Sequence, residues 1–151
     1  MNTLCKIRVQ YLIGIIWGVY AIYLVLIQDL FLFPKDSLEV ILPAIMQTLA
    51  VLVFTRLFRE KYFTTISLTA LACCLLVIRW HFNLDHGISR KQIVMLFLAL
   101  PILMTAITYL IEKIKKVVSL SLWKCFGISL LVTFINFLIA VFTFYIFHYW
   151  I

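Results

Sequence analysis

The chain has 151 residues, of which 66% are hydrophobic and 13% charged, and its formal net charge is +7; soluble domains run at roughly 45–50% apolar and about 25% charged. A water-soluble domain of this length still exposes about a third of its unfolded surface, so the apolar excess cannot be hidden in a globule and the surrounding medium is expected to be lipid. The basic residues stand at the ends of apolar runs, where they meet lipid headgroups, which sets nucleic acid aside as a partner.

Lys6 and Arg8 precede an apolar run from Val9 to Phe33. That run is too long for a secretory segment of roughly 7–15 apolar residues, and no small-residue cleavage site follows it, so it reads as a spanning helix. Within it Gly14 and Gly18 form a GxxxG pair, which Ala21, Val25 and Gln28 continue at alternating spacings of three and four. Such a stripe of small residues lets two helix backbones approach closely. Asp29 lies close to Pro34 and within reach of interfacial water, so it reads as an interface residue rather than an ion site. Pro34, Lys35, Asp36 and Ser37 are expected to form a tight turn.

The next two apolar runs, 40–58 and 62–80, are the shortest. A helix crossing a hydrocarbon core needs about 20 residues, within a range of roughly 17 to 25. Only 16 residues separate Glu39 from Arg56 and 17 separate Lys61 from Arg79, but long basic side chains snorkel and extend the span. Gln47 is expected to bond to another helix, because an amide in hydrocarbon must find some partner. Pro43, and Pro101 further on, each free a backbone carbonyl. The four cysteines, Cys5, Cys73, Cys74 and Cys125, lack CxxC or His/Cys spacing, so neither a zinc site nor a disulfide framework is expected. Cys73 and Cys74 read as small hydrophobes.

The most polar stretch, VIRWHFNLDHGISRKQI at 77–93, holds His81, Asp85 and His86. If helical, these three could approach one metal, but no fourth ligand is near in sequence. Asn83, Gly87 and Ser89 are turn formers. The segment therefore reads as a solvated outer hairpin anchored by Trp80, and its histidines and Asp85 as candidate docking residues rather than metal ligands.

Two more apolar runs, 92–111 and 125–147, complete a set of five. Between them Lys113, Lys115, Lys116 and Lys124 surround Trp123, a juxtamembrane basic patch suited to anionic lipid headgroups or to an acidic cytosolic protein. The last run carries a second stripe, Ser129, Thr133, Asn136, Ala140 and Thr143, with phenylalanines over much of its remaining surface.

With five spans and a cytoplasmic N-terminus, nine basic residues fall inside and four outside, in keeping with the positive-inside rule; a four-span arrangement is the alternative. The fold class expected is an all-α integral membrane protein, a compact bundle forming one domain over 1–151. No GxSxG, HExxH, paired membrane carboxylates or glycine-rich phosphate loop occurs, so neither an enzyme nor a cofactor is expected. What remains is work by helix–helix association, as a homo-oligomer or with a second membrane or cytosolic protein. Gly14, Gly18, Ala21, Ser129, Thr133, Asn136 and Ala140 are the candidate interface. By size and hydropathy alone the build suits immunity, exclusion or phage-defence components of a bacterial inner membrane; a subunit of a transporter or channel for small solutes, ions or lipid-linked substrates is the alternative.

Overall fold

A computed structural model describes residues 9–28, 34–58, 62–86, 89–115 and 121–149, with side chains throughout except at 28, 34–36 and 83–86. Five helices occupy these segments: α1 (Val9–Gln28), α2 (Pro34–Leu57), α3 (Phe63–His86), α4 (Arg90–Ile114) and α5 (Leu122–Tyr149). Each is long and apolar enough to cross a bilayer, with mean hydropathies of 1.8 to 2.4. A backbone in hydrocarbon must satisfy its own polar groups, and helices do so; the described residues contain no strand.

The helix ends depart from the sequence expectation in an instructive way. Pro34 is not in a turn but opens α2, since a proline at the first helical position gives up a hydrogen bond that no residue there would make. The expected outer hairpin is largely absent, because α3 continues past Trp80 to His86 and Ser89 already caps α4, its Oγ accepting from Lys91 N at 3.3 Å. His81, Asp85 and His86 thus lie on a helix. Val77 and Trp80 are buried, and this apolar face carries the helix onward through residues whose polarity alone suggests a loop. Asp29 and residues 59–61 lie outside the described residues. Pro43 and Pro101 are buried inside helices that run unbroken through them.

Short connections force successive helices to run antiparallel. The starts of α1, α3 and α5 therefore share one end of the bundle, here the Val9 end, and the start of α4 marks the other, the Arg90 end. Helices α3, α4 and α5 pack mutually, α3 against α5 most extensively, while α1 and α2 form a pair that joins through both α3 and α5. Ile66, Ala70, Val77, Ile93, Val132 and Ala140 lie at the centre with almost no exposure. Helix α1 is the least enclosed: 17% of the residues in its apolar span are buried, against 44% in α3 and α5.

Candidate functional site

Asn136 is a poor helix former that competes for backbone groups, and it does so here by donating from Nδ2 to the Val132 carbonyl at 2.9 Å. That fixes its amide plane and aims Oδ1 across the bundle, where it accepts from Gln47 Nε2 at 2.8 Å. Gln47 Oε1 in turn accepts from Trp17 Nε1 at 2.8 Å. The result is a directional chain from α1 through α2 to α5, ending on a backbone carbonyl. Its three side chains are at most 2% exposed. No member titrates in the accessible pH range, so the chain can fix the mutual register of three helices but cannot hold a charge. Gln47 and Asn136, amides that the sequence alone shows to need partners, find each other. Sequence reasoning misses Trp17; a lone indole deep in an apolar helix, needing an acceptor when buried, is the available signal.

A second line of polar contacts joins α3 to α5. The hydroxyls of Thr69 and Ser129 lie 3.1 Å apart, and one turn further along Cys73 Sγ approaches Thr133 Oγ1 at 3.9 Å. Both pairs span the same separation of sixty positions, so the two helices run parallel in fixed register. Beyond them Ala140 and Thr143 are fully enclosed, and the Thr143 hydroxyl donates to the Ile139 carbonyl. Every member of the α5 stripe, Ser129, Thr133, Asn136, Ala140 and Thr143, is therefore used inside the monomer. Thr65, Ser67 and Thr108 keep buried hydroxyls with no hydrogen-bond partner among the described residues.

The α1 stripe has the opposite placement. Gly14 and Gly18 are exposed, and a methyl group at either Cβ position would meet nothing within 4 Å. Val25 is exposed and Ala21 half-buried. The stripe runs along the edge of an outward face made by Tyr11, Ile15, Val19, Ile22 and Leu26. The two stripes, alike in sequence, are thus placed differently, and Gln47 links Trp17 of α1 to Asn136 of α5.

His81 is half-buried near the Arg90 end, its ring edge-on to Trp17 at 6.3 Å and its Nε2 without a partner among the described residues. The side chains of Asp85 and His86 lie outside the described residues. Among those described, no three His, Cys, Asp or Glu side chains gather as a metal site would require. Cys73, Cys74 and Cys125 are buried free thiols, and Cys5 lies outside the described residues.

At the Val9 end Lys113, Lys115, Trp123 and Lys124 are all exposed; Lys116 lies outside the described residues. Lys124 borders a shallow groove with Tyr62, Phe58, Gly127, Ile128 and Leu131. At the Arg90 end aromatic rings dominate. Trp80 meets Phe137 and Phe144 edge-on at 6.1 and 6.4 Å, and Arg90 lies 4.3 Å above the Phe144 ring, whose neighbour His148 is stacked at a further 4.3 Å.

The chain matches no protein-family model, no curated protein and no solved structure.

Proposed function

We propose that this chain works within the membrane by helix–helix association rather than by catalysis, and that the exposed stripe of α1 is the face on which a second copy docks. The observation that carries the reading is that Gly14 and Gly18 have open space for 4 Å around their Cβ positions, on the helix least covered by its own bundle. Lipid chains give helices no hydrophobic reason to associate, so close backbone approach at small residues is the main incentive available. The α5 stripe satisfies that incentive internally, and the α1 stripe is left to satisfy it with another chain.

Charge suggests the setting. On the count of Lys and Arg the Val9 end is assigned to the cytoplasm, where Lys113, Lys115 and Lys124 face anionic headgroups at about 1 kcal/mol each. A small bundle that recognises helices fits a protective role in a bacterial inner membrane, against pore-forming toxins, incoming conjugative elements or phage.

Disulfide trapping tests the interface. Gly18→Cys has space for its side chain and is expected to form covalent dimers under mild oxidation in native membranes. Leu131→Cys, exposed on α5, is expected not to. Equal trapping at both positions, or none at Gly18, would contradict the proposed face.

A further inference from the structure

Between α1 and α3, toward the Arg90 end, a groove of about 280 Å³ is lined by Tyr20, Tyr23, Leu75, Ile78, Arg79 and Phe82. It holds one cation in an otherwise apolar and aromatic setting. Arg79 is exposed, and its guanidinium carbon lies 5.6 Å from the centre of the Phe82 ring. Beyond Arg79, α3 continues to His86, with Asn83, Asp85 and His86 in its last turn, so Arg79 sits only about 6 Å from the first of these polar positions at 1.5 Å per residue. A charged side chain at this depth is costly unless it reaches water, headgroups or a counter-charge.

We propose that this groove is a binding site for one anionic phospholipid, whose phosphodiester is gripped by Arg79 while an acyl chain lies along Leu75 and Ile78. The two halves of the groove match the two halves of such a molecule. A guanidinium offers paired N–H donors in the geometry of phosphate oxygens, and it can snorkel the short distance to headgroup level. Leu75 is 57% exposed and faces where an acyl chain runs. Binding sites for whole small molecules occupy roughly 300–1,000 Å³, so this groove takes the phosphate and the first part of a chain, leaving the remainder in the bilayer. The net negative charge matters: a zwitterionic lipid brings its own cation to the phosphate, and Arg79 then neutralises less. Tyr20 and Tyr23 stack with centroids 6.5 Å apart and wall the groove on the α1 side. The site is separate from the exposed glycine stripe and does not depend on self-association.

The experiment titrates the purified full-length chain, in a lipid-free mild detergent, with short-chain phosphatidylglycerol, phosphatidylcholine or inorganic phosphate, counting bound molecules by native mass spectrometry. Wild type is expected to hold one phosphatidylglycerol in preference to phosphatidylcholine, and to hold no inorganic phosphate. Arg79→Gln should raise the apparent Kd for phosphatidylglycerol at least about fivefold, the equivalent of about 1 kcal/mol for one basic residue at the surface. Arg90→Gln, which removes the same charge from the same end but outside the groove, should leave the Kd within twofold. Leu75→Trp, at an exposed position, should weaken binding with every charge intact. Equal effects of Arg79→Gln and Arg90→Gln would reduce the site to diffuse electrostatics and overturn the proposal. So would phosphatidylglycerol binding that survives Leu75→Trp, or a lack of preference between the two lipids.

Discussion

Asn136 holds more of the bundle than its size suggests, because one amide both donates to its own helix at Val132 and accepts from Gln47 on α2. Asn136→Leu should destabilise the chain by about 1–3 kcal/mol, the usual cost of leaving a buried donor without a partner, read as a shift in reversible unfolding in mixed micelles. Gln47→Leu should cost a similar amount, and the double variant less than the sum. The coupling between them is expected near 0.6 kcal/mol and not above about 1.7 kcal/mol, the range found for hydrogen bonds between spanning helices; strict additivity would deny the contact. The amides are legible in the sequence since hydrocarbon offers them nothing else to bond. Trp17 is not, because an indole serves equally as an interface anchor or as a core donor, and only the position of Gln47 decides between them. His81 is misplaced by sequence reasoning for a related reason. Its polar neighbours suggest a loop, while the periodic burial of Val77 and Trp80 that keeps α3 helical is a property of what packs against them.

At the scale of elements, α1 and α5 carry the same kind of stripe and use it differently. Small residues at spacings of three and four encode close approach but not the identity of the partner. The distinguishing feature is chemical: α5 has Ser129, Thr133, Asn136 and Thr143 along its length, whose polar groups must be enclosed and bonded, whereas the α1 stripe runs through Gly14, Gly18, Ala21 and Val25 and has its one polar member, Gln28, at the last position of the helix. Substitutions should separate the two. Thr133→Leu enlarges a side chain that is 4% exposed and removes the partner of Cys73. It should destabilise the monomer by about 1–3 kcal/mol through overpacking, visible as a lowered unfolding midpoint. Gly18→Leu, with open space at its Cβ, should leave that midpoint unchanged or raise it, since leucine is the better helix former by somewhat under 1 kcal/mol. A collapse of the Gly18→Leu monomer would mean that α1 is packed along its glycines after all.

For the whole molecule, the number and type of elements follow from the pattern of apolar runs, because five stretches of near-membrane length leave little freedom once each must be helical. Their ends do not follow, since Pro34 and Ser89 act as helix starts that polarity disguises as loops. The side of the membrane is inferred from charge: in the five-span reading of the sequence nine basic residues fall inside and four outside. With Cys5 replaced by Ser, a membrane-impermeant thiol reagent applied to intact cells should label Ser89→Cys and should reach Ser121→Cys only after permeabilisation; the reverse pattern would invert the orientation. If the α1 stripe faces a second copy, the mass of the protein particle in mild detergent reports it, for wild type and for the Gly14→Leu, Gly18→Leu double variant. The wild type should be an oligomer and the double variant a folded monomer; a wild-type monomer, or an oligomer indifferent to both leucines, would rule out docking through α1.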